Sequence, residues 1–507
     1  MDIIVGFQTL FANPSALIFV FLGAFVGIVV GALPGLTASA AIAMLVPVTF
    51  YLDPLSALAF LYVIGKAGRF GGSIAAILFN TPGTASSAAT MQDGYPMTQQ
   101  GKSGKALKAA TIASVFGDFS GELVLIFGAS IIAVYTEHMG PPEYFAVYVM
   151  AFVVIGSVIG KSIIKGLIST LLGILCGTVG QDPITGDTRF GFGTLELESG
   201  LSLVPLLIGV FVLSEVLVQA EQDTRWSHAD RQEPASADPT NDYMTLQEIK
   251  TCLPVMFRST LVGTFVGLMP GLGSAVACFI AYSEEKRRSK NPERWGTGIV
   301  EGVVAPESSN NAVSGPSMIP LLTLGIPGST IAAILTGVFL IHGIIVGPTI
   351  FTSSRDLVFG LFAAGLIGIA MYGLMGYFGS PIIGRVISRV PARLIYPFVF
   401  LTAFIAAYSS SSSTFDILLM SFFGLFGYAM RRFDFSAAAF IIAFVLTKGA
   451  EEALRQSLIM SESGGDIFLE RPVALTFIAI GLLVMIGRAV SMARQRNSAD
   501  IVTTDDE

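Results

Sequence analysis

The chain has 507 residues, 53% hydrophobic and only 13% charged, with a mean hydropathy of +0.72. A soluble domain carries about 25% charged residues, so so few charges cannot coat soluble globules of this length, and the composition defines an all-α polytopic membrane protein. The net charge of −7 comes from loop and tail acids. No basic patch with interleaved aromatics points to nucleic acid, and the scattered Cys176, Cys252 and Cys278 offer no disulfide frame or metal motif and read as packing residues.

The amino terminus carries Asp2 and no Lys or Arg before Lys66, unlike a cleaved signal peptide. The apolar stretch 16–33 is therefore expected to be a membrane helix, as are 144–160, 201–218, 357–378 and 473–486. The 55 glycines and 24 prolines fit helices that pack through small residues and break inside the bilayer. A first Pro-Gly break falls at Pro34-Gly35, followed by Thr37 and Ser39. Next comes the block Gly65–Gly72, in which Lys66 and Arg69 either neutralise an anion or sit at the interface. A second break, Asn80-Thr81-Pro82-Gly83-Thr84, follows. Asp118 and Glu122, four residues apart, share a helix face; they suit a proton or cation relay, the lining of a wet crevice, or pairing with a Lys.

The second half repeats the order of the first. Gly267-Leu268-Met269-Pro270-Gly271-Leu272 resembles Gly31-Ala32-Leu33-Pro34-Gly35-Leu36, with Ser274 close behind, and Gly325-Ile326-Pro327-Gly328-Ser329 resembles the break at Pro82-Gly83. Lys and Arg collect in cytoplasmic loops, and loops at matching positions carry opposite charge character. The basic loop at Lys102, Lys105 and Lys108 matches 347–356, which has only Arg355 and Asp356. The loop 137–143, without Lys or Arg, matches 380–393, with Arg385, Arg389 and Arg393. Alternation of this kind marks an inverted-topology repeat. The expected organisation is a first transmembrane repeat at 1–220, a cytoplasmic linker at 221–252, an inverted second repeat at 253–471, an extra helix at 472–490 and a cytoplasmic tail at 491–507. Re-entrant hairpins would carry Pro34-Gly35 and Pro270-Gly271 at their tips, for about 12 membrane helices or half-helices.

Each Pro-Gly ends one helix, and the small hydroxyl residues after it cap the next. A helix start within the bilayer presents free N–H groups and partial positive charge, which hold a carboxylate without burying a full cation. Between the second-half breaks lies Ala305-Pro306-Glu307-Ser308-Ser309-Asn310-Asn311. Inside a membrane this run is costly; its Asn and Ser oxygens suit Na⁺ or a substrate hydroxyl, and Glu307 suits a coupling cation or proton. The alternative is a solvated loop.

These residues resemble the TctA family, the large membrane subunit of tripartite tricarboxylate transporters. The resemblance lies in GIVVGALPGLTAS at 27–39, GGSIAAILFNTPGTASSAATMQDG at 71–94, GTFVGLMPGLGS at 263–274 and PESSNNAVSGPSMIPLLTLGIPGS at 306–329. Ser308-Ser309 departs from the smaller, less polar pair expected there. The resemblance implies a multi-pass subunit in a bacterial inner membrane that forms the path for a di- or tricarboxylate such as citrate. Its implied partners are a small four-helix membrane subunit and a periplasmic solute-binding protein, and it implies driving by a Na⁺ or H⁺ gradient, without a cofactor. The Pro-Gly motifs map onto Pro34-Gly35, Pro82-Gly83, Pro270-Gly271 and Pro327-Gly328, and the Asn-Asn element onto Asn310-Asn311. Two rival readings are an intramembrane enzyme and the permease of an ATP-driven importer. The chain has no GxGD, HExxH or GxSxG motif for the first, and for the second no identifiable coupling loop and no Walker A motif.

Overall fold

The structure is a computed structural model that describes residues 2–33, 36–136, 139–158, 162–182, 185–222, 242–347, 349–389, 392–461 and 464–504. Pro34 and Gly35, most of the expected linker and the last three residues lie outside this set. The principal helices, in chain order, are α1 (Asp2–Phe11), α2 (Pro14–Ala32), α3 (Ala38–Thr49), α4 (Pro54–Phe79), α5 (Ser87–Gln99), α6 (Ser103–Thr136), α7 (Pro141–Val158) and α8 (Ile163–Gly177). They continue with α9 (Leu203–Glu221), α10 (Leu246–Leu268), α11 (Gly273–Arg288), α12 (Val300–Ala312), α13 (Ile319–Leu324), α14 (Thr330–Ile341) and α15 (Arg355–Arg389). The last four are α16 (Ala392–Ser411), α17 (Thr414–Arg432), α18 (Ala437–Met460) and α19 (Pro472–Thr504). A pair of two-residue antiparallel strands, with Gly180 opposite Arg189, is the one sheet among the described residues.

Among the described residues, seven helices are long and apolar enough to cross a membrane: α2, α7, α9, α10 and α19, with the greater parts of α6 and α15. Shorter apolar helices are α1, α3, α8 and α14. The last helix continues past the expected boundary at 490 to Thr504. Its apolar side chains Leu475, Leu483 and Ile486 are exposed, as suits a surface that meets lipid tails.

The chain forms two compact units. The first comprises Met1–Val134 and Leu203–Tyr428, and the second Tyr135–Ser202 and Ala429–Glu507. In the second unit α7, α8, α18 and α19 pack together. The acidic stretch after α8 is tied down by charge: Arg189 forms two hydrogen bonds to Glu451, at 2.7 and 3.0 Å, and Arg455 bonds Asp182 and Glu451.

In the first unit the start of each inner helix follows from its sequence. Asn13 and Asp53 cap α2 and α4, each just before a Pro at the first helical position. Thr245 and Glu248 form a capping box on α10. The centre of the unit is α4, where every residue from Leu55 to Ile77 is buried. Its middle carries Lys66 and Arg69, and protein on all sides replaces the water those charges lack in a bilayer.

Close backbone approach builds this enclosure. Methyl groups on Gly23 and Gly27 of α2 would come within 2.7 Å of Phe60 O and the Ala67 Cβ of α4. On α12, Gly117 and Gly121 of α6 lie against Ser308 O and Ala312 O, while Gly263 and Gly267 of α10 lie against Ser309 O and Val313 O. Two small-xxx-small pairs therefore clamp one helix from two sides. A leucine at Gly121 or Gly267, where a Cβ would sit 2.7 and 2.9 Å from those carbonyls, is expected to lower the melting temperature in detergent by about 3–10 °C. Gly487→Leu on α19, with nothing within 4 Å of its Cβ position, should melt like the unaltered chain. Unchanged melting of both clamp variants contradicts this packing.

Candidate functional site

The described breaks lie against other helix ends and against α4. In the first half, Gly83 donates from its N–H to Gly72 O at 3.3 Å, and its Cβ position lies 2.5 Å from Gly31 O. In the second half, Gly271 N donates to Gly328 O at 3.1 Å. Ile331, just after Pro327-Gly328-Ser329, packs against Gly65 of α4. The caps are as expected at two breaks: Thr37 Oγ1 accepts from Ala40 N and Ser329 Oγ from Ala332 N, each at 3.2 Å. At the other two they differ. The Thr84–Ser87 hydroxyls bond one another and their own backbone in a turn, and α11 starts from Leu272 with no side-chain cap, Ser274 standing half-buried within it. Asn80 is the exposed, left-handed terminus of α4 (φ 53°), and Thr81 donates to Phe79 O.

Two turns of α4 bring the remaining elements together. Gly65 meets Ile331, Gly72 meets Thr84 and Gly83, and Ser73 donates to Glu307. Lys66 bridges Asp118 at 2.6 Å and Glu122 at 2.8 Å, with all three side chains fully buried. Tyr62 donates to Glu122 at 2.7 Å, and Tyr372 of α15 lies 3.2 Å from both Asp118 and Ser114 O. Of the readings open for Asp118 and Glu122, the structure brings them together with a Lys. Lys66 is accordingly engaged by two carboxylates and is not at an interface.

The polar run of α12 is a buried helix, not a solvated loop: Glu307, Ser308, Ser309, Asn310 and Asn311 all have no exposed surface. Glu307 accepts from Ser73 of α4, from Thr90 of α5 at 2.5 Å and from Ser114 of α6 at 2.9 Å. Asn311 donates to Ser114 at 2.9 Å and to Glu307 O at 3.1 Å. No Lys or Arg pairs with Glu307 among the described residues. Three hydroxyls and a carboxylate thus converge from four helices, a donor set that suits a proton or a hard monovalent cation. Other polar atoms have no partner: both side-chain atoms of Asn310, Asn311 Oδ1, and the Ser308 and Ser309 hydroxyls. In a protein interior such atoms are rare and costly.

The approach to α12 is fixed by a residue that sequence reasoning passed over. Asp93 of α5, fully buried, accepts from the N–H groups of Gly296, Gly298 and Ile299 at 2.9–3.0 Å and from Tyr282 OH at 2.8 Å. Ser73, Thr90, Ser114, Tyr62 and Tyr372 were equally unmarked, since a single hydroxyl on an apolar helix is common. The one signal was Asp93 as a lone acid in 71–94.

Helices broken inside the fold, glycine-clamped around a buried ionisable centre, define a polytopic membrane protein with a polar core, the class to which secondary transporters belong. The chain matches the Tripartite tricarboxylate transporter TctA family over residues 17–442, and it belongs to that family, which is one of transporters, not enzymes. It is 35% identical over 511 residues to a 52.8 kDa protein in the TAR-I ttuC' 3' region of Agrobacterium vitis, with 100% of both chains covered. It is also 35% identical over 245 residues to a protein in the TAR-II ttuC' 3' region of the same organism, covering 48% of this chain and 100% of that one. No solved structure matches it.

Lys66→Met strands two buried carboxylates and is expected to destabilise the fold by about 3–5 kcal/mol. Adding Asp118→Asn and Glu122→Gln should recover most of that loss. The check is thermal unfolding of the purified variants. A single variant as stable as the parent, or a triple variant no better than the single, counts against an internally neutralised triad.

Proposed function

We propose that the chain is the large membrane subunit of a binding-protein-dependent secondary transporter in a bacterial inner membrane. It carries a di- or tricarboxylate, citrate-like, driven by a Na⁺ or H⁺ gradient. The observation that carries this reading is the fully buried run of α12, a carboxylate ringed by hydroxyls beside amide and hydroxyl groups with nothing to bond. A purely structural core gains nothing from such groups, whereas a translocation centre leaves them for its cargo. Glu307 takes the coupling cation, and the helix starts at the Pro-Gly breaks, with Asn310 and Asn311, face the anion. Asp118 and Glu122 act with Lys66 as the fixed charge frame of the centre.

The inverted repeat belongs to the same proposal. Its support is the helix order: the pair α2–α3 followed by α4 recurs as α10–α11 followed by α12 and α13, each with a Pro-Gly break after it. The segments that correspond across the halves, 65–72 and 305–312, touch each other through Arg69 and Asn310. A small four-helix subunit and a periplasmic binding protein complete the system; the word tripartite in the family's description supports two further components.

Uptake of radiolabelled succinate, malate, tartrate and citrate should fall when the chain is removed from its source strain, and return when it is restored. An uncoupler or removal of Na⁺ should stop it, while ATP depletion with the gradient maintained should not; dependence on ATP alone sinks the reading. Gly83→Leu and Gly328→Leu, whose side chains would strike Gly31 O and Ser317 O, should insert in the membrane yet transport at under about a tenth of the normal rate. Glu307→Gln should leave residual uptake that no longer responds to the driving cation. Normal uptake by both glycine variants refutes the placement of the path.

A further inference from the structure

Arg69 is the one buried cation of the centre that makes no ion-pair contact among the described residues. It lies on α4 one turn beyond Lys66 and is only 9% exposed. Lys66 is held by two carboxylates at 2.6 and 2.8 Å. Arg69 has no such partner: one guanidinium nitrogen donates to the backbone carbonyl of Asn310 at 3.3 Å, and its Nε bonds nothing. A guanidinium carries five N–H donors in a planar fork that matches a carboxylate. One long bond to a neutral carbonyl is poor return for burying a full charge. On the helix it contacts, Asn310 has a side-chain amide whose nitrogen and oxygen both lack partners, and Ser309 has an idle hydroxyl. Two helices in contact through Arg69 and the Asn310 backbone therefore each carry unspent polar atoms, one of them on a full cation.

We propose that Arg69, together with Asn310, whose backbone carbonyl it contacts, binds a carboxylate group of the transported anion. This rests on the transport reading above and assigns the anion's anchor within it. The geometry separates the two basic residues of α4: Lys66 is a fixed member of the frame, and Arg69 is the ligand. It also gives coupling a physical cause. The centre holds two cations, Lys66 and Arg69, and three carboxylates, Asp118, Glu122 and Glu307. A carboxylate arriving at Arg69 adds to a cluster in which carboxylates already outnumber cations three to two. A cation at Glu307, linked to α4 through Ser73, offsets it, so each ligand favours the other.

The test is equilibrium binding of radiolabelled succinate, malate, tartrate and citrate, and of the monoamides of each, to the purified full-length chain in nanodiscs with Na⁺ at fixed pH. The unaltered chain should bind at least one acid and prefer it over its monoamides. Arg69→Gln should weaken that acid by about 10- to 100-fold while barely changing the best monoamide, so the preference collapses. Arg69→Lys should fall between. A role in stability alone lowers the amount of folded chain without moving the acid-to-amide ratio. Should Arg69→Gln fail to reach the membrane, Arg69→Lys decides by the same ratio. An unchanged ratio in the variant that folds overturns the assignment, and so does an unaltered chain that binds none of the acids. Loss of cellular uptake on removing the chain tests the transport reading separately, so the two can fail independently.

Discussion

A bilayer offers no water to a buried charge, and this constraint organises the first unit. At its centre Lys66, Arg69, Asp118, Glu122 and Glu307 are buried on three helices, α4, α6 and α12. Each needs partners from the protein, and those partners come from different helices. Lys66 draws Asp118 and Glu122 of α6 to α4, and Glu307 draws hydroxyls from α4, α5 and α6 to α12. Such short ties require the helix axes to lie close together. The glycines at 117, 121, 263 and 267 allow that by bringing backbone onto backbone. Charge satisfaction and close packing are therefore one requirement: a side chain added at the clamp would lengthen the bonds that make the charges tolerable.

Much of this was legible in the chain itself. Low charge and long apolar runs gave the helical membrane class. The Pro-Gly repeats located the breaks, and Thr37 and Ser329 cap the helices after them as hydroxyl residues in that position should. The spacing of Asp118 and Glu122 put both on one face, where Lys66 meets them. The block 305–312 stood out because Glu, Ser and Asn together have no place in an apolar helix unless they are enclosed. Less legible was the division of labour around the breaks. Asn80 is a helix terminus in a left-handed conformation, and the Thr84–Ser87 hydroxyls satisfy one another. Local turn geometry already occupies much of the bonding capacity of these residues. The atoms left idle lie deeper, on α12.

The residues missed share a physical cause. Ser73, Thr90 and Ser114 each look like an ordinary small residue on its own helix, and only their convergence on Glu307 gives them meaning. That convergence is tertiary, between positions more than 190 residues apart. Asp93 is similar, because its four donors lie about 200 residues downstream. It anchors the entry to α12 and so fixes where Glu307 and Asn310 stand. Arg69 shows the reverse case. Its type suggested an anion site, but only the contrast with the saturated Lys66 singles it out.

The proposal stands on α12 being a place where water and cargo arrive, although it is enclosed in this conformation. The most direct test is the reactivity of Ser308→Cys, made in a chain whose three cysteines are replaced by serine, towards a charged, membrane-impermeant thiol reagent in intact and inside-out vesicles. Labelling from at least one side, slowed by a transported carboxylate together with the coupling cation, is the predicted result. A cysteine at 308 that stays unlabelled from both sides under energised and de-energised conditions would contradict the account, because a translocation centre must open to water.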